Sequence, residues 1–324
     1  MQPNIAHYFL LSCQKFPNQP AIIIDEETYT YYELFAYTKS VYSFLEKQHI
    51  QNKRIGLFCQ NDIWTVATIL AVTAYGAAYV PLNENFPNER NAFIVKDCDL
   101  SIILSFENIK IDLLNARIHN ISNLTINLSE KPYFLSPKIK QKTAYILYTS
   151  GSTGVPKGVP VSIVSVFQLF KFLQKQYDFN ENDSFLQCFE WTFDMSVLAL
   201  FSAFLNGSSC YLLPKKGIKW VNILKYTQQY PITVLALVPS VIYLSKKYLP
   251  NLSFPKVRYC LFSGEALLHS HAKIWAKALP NAKVENLYGL TESAVVISYY
   301  LFDETKSETE SFNDVVPIGH FFPE

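Results

Sequence analysis

Short apolar runs rich in β-branched residues alternate with longer segments of helical periodicity along most of the chain. Continuous apolar strands separated by helices are typical of parallel sheets that helices cover on both faces. The pattern therefore predicts an α/β fold with layered, mostly parallel sheets. Predicted strands are 54–59, 100–104, 144–148, 208–213, 233–237, 257–262 and 283–287. Predicted helices are 62–75, 89–96, 162–174, 195–204, 220–229, 240–247 and 267–278.

One uncharged segment, Ile63 to Val80, is just long enough to span a bilayer. It contains three threonines and Gly76, and Pro81 follows it. We interpret it as a buried helix, a break at Gly76 and a buried strand from Ala78 to Leu82, with a transmembrane helix as the alternative. No Lys or Arg precedes the short apolar stretch near the N-terminus, and it has no small-residue cleavage site, so no signal peptide is expected.

Composition and charge argue against several kinds of partner. The formal net charge is +1 and long charged tails are absent, so neither nucleic acid nor a membrane surface is an expected partner, and any phosphate binding must be local. Six cysteines without a C-x-x-C pair predict reduced, buried thiols in a cytoplasmic protein. His269 and His271 lack a Cys or carboxylate partner at ligand spacing, so we expect surface positions on a helix and no metal.

Two polar stretches interrupt the alternation of strands and helices. Residues 107–142 are irregular and polar. They either link two subdomains, roughly 1–140 and 141–324, or form a long solvated connection. Residues 303–314 are polar and acidic and are expected to form a surface loop.

The strongest local signal is the string of eleven residues from Tyr148 to Gly158, which follows an apolar strand. Its three glycines permit backbone conformations closed to other residues, so backbone N–H groups can converge on an anion. Lys157 adds a positive charge. Four hydroxyls can donate to phosphate oxygens, those of Thr149, Ser150, Ser152 and Thr153. The string predicts a loop that grips a triphosphate, and an ordinary flexible turn is the alternative.

This loop is not a Walker motif, because Gly158 follows Lys157 where that motif needs Ser or Thr. It leads into Val159 to Val161 instead of directly into a helix, and the chain has no G-x-G-x-x-G fingerprint. The string resembles the phosphate loop of the adenylate-forming superfamily, which contains acyl-CoA synthetases, firefly-type luciferases and the adenylation domains of peptide synthetases. The resemblance implies that residues 1–324 are the large N-terminal domain of such an enzyme, with a distorted β-barrel portion. It also implies that Gly151 and Gly154 belong to the ATP site.

A second segment, Asn286 to Glu292, resembles the other nucleotide motif of this superfamily. Its chemistry alone shows that Glu292 could hold Mg²⁺ or could be a carboxylate favoured at a helix start. The resemblance implies ATP binding by Asn286, Leu287, Tyr288, Gly289, Leu290 and Thr291. Asn286 would contact the adenine amine, Tyr288 would stack near adenine, and Thr291 would contact the α-phosphate. ATP and Mg²⁺ are thus the implied cofactors, and Lys157, Thr291 and Glu292 the implied catalytic residues.

Three further segments resemble the same superfamily. Phe262 to Ala266, which includes Gly264 and Glu265, resembles the glycine turn that lines the adenine and substrate pockets. Ala77 to Leu82 resembles a structural motif, to which we assign packing, and Val316 to Gly319 resembles the start of the next motif. The family's ribose-binding Asp, hinge and small C-terminal lid domain with its catalytic Lys have no match here. Either the gene product is longer and this chain is a fragment, which we prefer, or a truncated form exists. We expect this chain to bind ATP and to adenylate weakly or not at all.

The substrate class is predicted from Asp194, which directly follows Trp191-Thr192-Phe193. In this superfamily an Asp at that position is a mark of amino-acid activators. An α-ammonium group in a closed pocket needs a carboxylate partner, because an unpaired buried charge costs several kcal/mol. The alternative is a helix cap, since a predicted helix begins at Met195, and one side chain could serve both purposes.

Alignment of the motifs places a pocket wall that is apolar at all but one position. Its residues are Met195, Leu198, Ala236, Leu261, Ser263, Leu287, Val295 and Val296. Such a wall favours an uncharged side chain of small to medium size. The bulk of Leu198 and Leu287 could reduce the pocket to alanine size, and the short chain also resembles D-alanine–carrier-protein ligases.

The implied reaction is attack of the amino-acid carboxylate on the α-phosphorus of ATP, which yields aminoacyl-AMP and pyrophosphate. The resemblance implies a second step, transfer of the aminoacyl group to the phosphopantetheine thiol of a carrier protein. Two alternatives stay open. One is an acyl- or aryl-acid ligase that forms CoA or carrier thioesters, and the other is a non-catalytic nucleotide-binding scaffold of the same fold.

Overall fold

The computed structural model describes residues 5–107, 109, 116–133, 135–150 and 155–322. Helices α1 to α10 of this part of the chain are Ala6–Lys15, Tyr31–Lys47, Ile63–Tyr75, Asn88–Asp97, Ile163–Gln176, Met195–Leu205, Lys219–Gln229, Ser240–Ser245, His269–Lys277 and Glu304–Glu310. Strands β1 to β15 are Pro20–Ile24, Glu27–Thr30, Arg54–Phe58, Ala78–Leu82, Ile102–Ser105, Arg117–Asn120, Thr143–Ser150, Pro156–Ser162, Ser184–Gln187, Ser209–Leu212, Val234–Leu237, Tyr259–Phe262, Lys283–Tyr288, Ser298–Leu301 and His320–Phe321. Short 3₁₀ helices lie at Leu249–Asn251 and Thr291–Ser293.

The strands form two sheets, and both are mostly parallel. The larger has the order β15-β14-β13-β12-β11-β9-β10-β1-β2, and the smaller has the order β6-β5-β3-β4-β7-β8. Antiparallel pairs occur only towards the edges of the described sheets, where β2, β8, β14 and β15 lie. This arrangement confirms the predicted α/β fold of layered, mostly parallel sheets. The described pairings do not close a barrel, so the barrel portion stays a prediction.

Pairings between distant parts of the chain build each sheet. Ile22 of β1 lies beside Cys210 of β10, and Tyr79 of β4 lies beside Tyr145 of β7. Both pairings join residues on either side of position 140. The division into subdomains at this position stays a prediction.

Helix α3 and strand β4 occupy the uncharged segment. The Asp62 carboxylate accepts a hydrogen bond of 2.8 Å from the Thr65 amide and caps the helix. Gly76 ends the helix with φ of 92°, and an added Cβ there would lie 2.1 Å from the Ile139 carbonyl oxygen, so only glycine fits. The prediction of helix, glycine break and strand is confirmed. Among the described residues, no helix is long and apolar enough to cross a membrane.

Helix α6 lies in the core, and all eleven of its residues are buried. Phe204 packs on Phe9 of α1 with ring centroids 5.3 Å apart, and Phe201 packs on Phe170 of α5 at 5.8 Å. Full burial of each such side chain stabilises the fold by about 1.5–3 kcal/mol. The packing therefore fixes the N-terminus of α6, where Asp194 lies.

Two predictions about surface regions were wrong. Residues 303–314, expected to be a loop, contain helix α10, because the Asp303 carboxylate accepts hydrogen bonds from the Thr305 and Lys306 amides and caps it. His269 lies on a helix as predicted, but it is buried, and its Nε2 lies 3.0 Å from the Glu304 carbonyl oxygen. The cause is that α10 packs over the start of α9.

Two other expectations about the chain can be compared with the structure. The irregular stretch 107–142 contains a strand, β6, at the edge of the smaller sheet. The six cysteines are all free and buried, as predicted.

Candidate functional site

The predicted phosphate loop joins two antiparallel strands. The β7–β8 ladder extends as far as the Thr149–Lys157 and Ser150–Pro156 pairs, so the two ends of the loop are held side by side. Ser150 and Lys157 are exposed. Outside the described residues lie Gly151, Ser152, Thr153 and Gly154, whose predicted phosphate contacts stay predictions. The ladder confirms that the string leads into a strand and not into a helix.

A cavity of about 440 Å³ opens beside this hairpin. Four of the residues predicted to bind ligands line it, and they come from three parts of the sequence. They are Thr149, Ser150, Asp194 and Thr291. Aromatic and aliphatic side chains such as Phe193, Val238 and Val241 form much of the remaining wall. A concave site of this size with few polar groups is typical of small-ligand binding.

Asp194 is the buried charged group of this cavity, with a relative exposure of 6%. Its Oδ2 accepts a hydrogen bond of 2.8 Å from the Thr291 hydroxyl. Burial raises the pKa of the Asp194 carboxyl, and the Thr291 hydrogen bond partly opposes this shift. Asp194 occupies the N-cap position of α6, but its side chain makes no capping bond, because its backbone is already helical (φ −65°, ψ −25°). Asp194 thus lines the cavity without a side-chain capping bond to the helix.

Tyr145 is a second buried polar group near Asp194, and the sequence analysis missed it. Side chains two apart on a strand share a face, so Tyr145 lies on the same face of β7 as the cavity residues Leu147 and Thr149. Within the described chain, its buried hydroxyl has no hydrogen-bond partner. Burial, and to a smaller extent the charge of Asp194, raises the pKa of Tyr145. The alternation along β7 was the signal that could have found it.

The second nucleotide motif begins on β13 and ends in the turn after it. The Asn286 amide nitrogen donates to the carbonyl oxygens of Val316 (3.3 Å) and Pro317 (3.0 Å). Tyr288 and Leu290 are exposed, and Leu287 is buried. An added Cβ at Gly289 would lie 2.2 Å from the Val295 carbonyl oxygen, so the turn requires glycine.

The glycine turn after β12 is exposed at Gly264 and Glu265. The Glu265 carboxylate accepts hydrogen bonds from the Ser240 amide (2.7 Å) and hydroxyl (3.1 Å). In this structure its carboxylate thus binds the first residue of α8. The ATP-binding role predicted for both residues of the turn stays a prediction.

All eight residues predicted to form the pocket wall are buried, with relative exposures of 3% or less. They lie on or just after neighbouring elements, because β11, β12 and β13 are adjacent in the sheet and Ala236 pairs with Leu261. None of them is among the described residues that line the 440 Å³ cavity. Val295 has φ of 78°, an unusual backbone conformation for a β-branched residue. The specificity role of this wall stays a prediction.

Glu292 is exposed in the turn that carries Thr291. Within the described ranges, no group of three His, Cys, Asp or Glu side chains could hold a metal. A single carboxylate still suits Mg²⁺, which proteins often bind through one or two carboxylates together with substrate phosphates. The donor set therefore fits a magnesium ion that arrives with a nucleotide.

The sequence analysis also missed residues on the other side of the cavity. Phe86, Arg90, Glu190 and Lys219 line it. Glu190 Oε1 lies 2.8 Å from Lys219 Nζ, and Arg90 stacks over the Phe86 ring at 4.3 Å. No motif marks these residues, because only the fold places them beside Thr149 and Ser150.

The parallel sheets, the hairpin with its Ser/Thr ends and the turn that carries Thr291 and Glu292 define an enzyme of the adenylate-forming type. A family model described as AMP-binding enzyme matches residues 9–323, and the chain belongs to this family. The resemblance found in the sequence is thus confirmed.

Relatives and solved structures agree with this assignment. Vanchrobactin synthetase VabF of Vibrio anguillarum is 31% identical over 89% of this chain and 10% of its own length. Gramicidin S synthase 1 of Brevibacillus brevis is 28% identical over 98% of this chain and 28% of its own. The Vibrio cholerae adenylation domain AlmE, solved with glycyl-adenosine-5'-phosphate, has a TM-score of 0.85 and 25% identity over 100% of this chain and 65% of its own. The chain spans between 4% and 56% of the length of eight curated relatives.

Proposed function

We propose that the protein activates an uncharged amino acid of small to medium size to aminoacyl-AMP at the expense of ATP. Transfer to the phosphopantetheine thiol of a carrier protein would follow. The observation that carries the proposal is Asp194, a carboxylate buried in the wall of a cavity that also contains Thr149, Ser150 and Thr291.

The Asp194 carboxylate has the properties of an ammonium-binding group. The ion pairs of the described residues do not include it, so its charge lacks compensation by Lys, Arg or His there. A buried carboxylate of this kind is costly until a cation pairs with it. The α-ammonium of an amino acid would supply that cation. The bound glycyl adenylate of the similar AlmE structure supports the same interpretation.

The nucleotide would bind between the hairpin and the turn after β13. Thr149, Ser150 and Lys157, together with the loop between them, would hold the β- and γ-phosphates. The Asn286 amide nitrogen already donates to two carbonyl oxygens. The orientation of this amide leaves its oxygen as the acceptor for the adenine amine. Tyr288, which is exposed, would stack near the adenine.

In this reaction the protein mainly has to position the two substrates and to neutralise the negative charge of the phosphates. The substrate carboxylate attacks the α-phosphorus, a new C–O–P linkage forms, and pyrophosphate leaves. Thr291 would donate to the α-phosphate, and Glu292 would hold Mg²⁺. The ion, when bound, neutralises negative charge on the phosphates.

Several parts of the proposal concern the protein as a whole. They are the carrier protein as partner, a lid domain that completes the catalytic site, and a cytoplasmic location. The 324 residues by themselves are expected to bind ATP and to adenylate weakly or not at all. Family relatives act within much longer chains, which supports the partner assignments.

ATP–pyrophosphate exchange tests the proposal on the full gene product, with residues 1–324 in parallel. The panel contains L- and D-amino acids, benzoate and fatty acids. We expect exchange with one or a few uncharged amino acids, and a decrease of about 100-fold or more for Asp194→Asn, because the ammonium loses a buried partner. The exposed Asp178→Asn serves as the control. Exchange only with acids that lack an amino group would make the protein an acyl- or aryl-acid ligase, and no exchange would favour a binding scaffold.

A further inference from the structure

Arg90 is a cationic residue of the cavity wall with unused hydrogen-bonding capacity. Its Nε is buried and, among the described residues, has no hydrogen-bond partner. The ion pairs of the described chain do not include Arg90. Nearly all buried N–H groups in native proteins have partners, so the unpaired Nε–H of Arg90 is an exception that calls for an explanation.

The packing of α4 on β7 places Arg90 at the phosphate loop. The Tyr148 hydroxyl donates to Asp97 Oδ2 (2.6 Å), and the Tyr148 ring packs on Phe93. Residues three, four and seven apart share a helix face, so Arg90 lies on the face that contacts β7. It is nearer the helix start than Phe93 and lines the cavity together with Thr149 and Ser150, the last residues of β7.

Neighbouring groups hold the guanidinium in place without neutralising it. The Arg90 guanidinium lies 4.3 Å from the centroid of the Phe86 ring, a cation–π contact that fixes its plane. Glu190, the exposed carboxylate of the same cavity, accepts from Lys219 Nζ (2.8 Å) and from Asn83 Nδ2 (3.3 Å). Both oxygens of Glu190 thus have other partners, and the Arg90 donors remain for an anion.

We propose that Arg90 binds a phosphate group in this cavity, as an anchor separate from the loop residues 149–157. A planar guanidinium matches two phosphate oxygens at once, and a cation that makes no ion pair among the described residues favours an anionic ligand over an uncharged acceptor. The source of the phosphate rests on the proposed function. It is either the terminal phosphates of ATP or the phosphate of phosphopantetheine.

Calorimetry with ATP·Mg²⁺, pyrophosphate and AMP compares the wild-type protein with Arg90→Gln. The exposed Arg117→Gln removes the same charge elsewhere and serves as the control. If the terminal phosphates bind Arg90, Arg90→Gln lowers the affinity for ATP and pyrophosphate about 10- to 100-fold and leaves AMP unchanged. Phe86→Leu, which keeps the charge and removes the stacking, should cost about 2- to 5-fold.

Phosphopantetheine as the source gives a different result. All three ligands then bind Arg90→Gln normally, and the preference for 4'-phosphopantetheine over pantetheine as acceptor falls about 10-fold or more. The proposal is overturned if Arg90→Gln changes neither the affinity for ATP and pyrophosphate nor the preference for 4'-phosphopantetheine by more than Arg117→Gln does. It is also overturned if Arg90→Gln lowers AMP affinity and thermal stability together with the affinity for ATP and pyrophosphate. A wild-type protein that binds neither ATP nor AMP would instead contradict the proposed function.

Discussion

At the residue scale, the hydrogen bond from Thr291 to Asp194 joins two side chains that are proposed to contact different ligands. Thr291 would contact the nucleotide, and Asp194 would contact the amino acid. They are 97 residues apart in sequence. The Thr291 hydroxyl has one proton to donate. It cannot donate to Asp194 and to an α-phosphate at the same time. Nucleotide binding should therefore free the Asp194 carboxylate for an ammonium group, so that each ligand promotes binding of the other.

Substitution of Thr291 tests this coupling. In the wild-type protein, a non-hydrolysable ATP analogue should raise amino-acid affinity about 5- to 10-fold. Thr291→Ser keeps the hydroxyl and should keep the coupling, whereas Thr291→Val should abolish it. Calorimetric titration of the amino acid with and without the analogue measures both. If the ATP analogue raises amino-acid affinity equally in Thr291→Val and Thr291→Ser, the hydrogen bond has no part in the coupling.

Part of this site could be predicted from the sequence because its chemistry is local. Asp194, Thr291 and Thr149 were recognised from the residues beside them in the chain. The hydrogen bond between the first two was not predicted, since no local pattern reports a contact across 97 residues. Arg90 was missed for the same reason, because its role depends on how α4 packs against β7.

At the element scale, the start of α3 shows how a cap can carry an electrostatic cost. Asp62 caps the helix, yet burial raises the pKa of its carboxyl to about 6, while the Thr65 amide and Lys215 act in the opposite direction. The folded pKa lies above the ordinary value of 3.8, so the native state binds the proton more tightly than the unfolded chain. Ionisation of Asp62 therefore lowers stability as pH rises from about 4 through about 6.

Two substitutions of Asp62 separate the cap from the charge. Asp62→Asn keeps a capping oxygen and loses the charge, so it should be more stable than the wild type at pH 8, with a difference that shrinks towards pH 4. Asp62→Ala loses the cap and should be less stable than Asp62→Asn by about 1 kcal/mol at both pH values. Urea unfolding at the two pH values measures this. If the difference in free energy of unfolding between Asp62→Asn and the wild type does not change with pH, the assigned pKa shift is refuted.

Helices and strands with strong local signals were predicted well. Asp62, Gly76 and the apolar run between them define α3, and the structure has the helix there. Helix α10 was missed because its seven residues are all polar and give no helical periodicity of apolar side chains, and the Asp303 cap was not weighed. The capping box of Thr30 and Glu33 at the start of α2 was equally readable in the sequence.

At the scale of the whole molecule, contacts between the N-terminal region and residues beyond 200 hold the larger sheet together. The Tyr31 hydroxyl is fully buried and donates to the Ser208 carbonyl oxygen at 2.6 Å. The Ser12 hydroxyl donates to the Phe204 carbonyl oxygen at 2.8 Å. Parallel pairing between β1 and β10 has no signal in either segment alone. This is why the sheet order could not be predicted, although most of its central strands could.

Loss of the Tyr31 hydroxyl should weaken this connection. Tyr31→Phe leaves the buried Ser208 carbonyl oxygen without this donor and should lower the free energy of unfolding by about 1–3 kcal/mol. The exposed Tyr243→Phe should change it by less than about 0.5 kcal/mol. Denaturant unfolding of both variants checks the prediction. Equal stability of the two variants would mean that the carbonyl oxygen finds another donor.

The pairing of β1 with β10 also sets a delay during synthesis on the ribosome. About 190 residues separate the paired positions, so at about 5–20 residues per second β1 waits on the order of 10–40 s for its partner. Until then the apolar Pro20–Ile24 strand has one unsatisfied edge. Among the described strand pairings, β1 thus waits longest for its partner, so chaperones that bind nascent chains have their longest opportunity there.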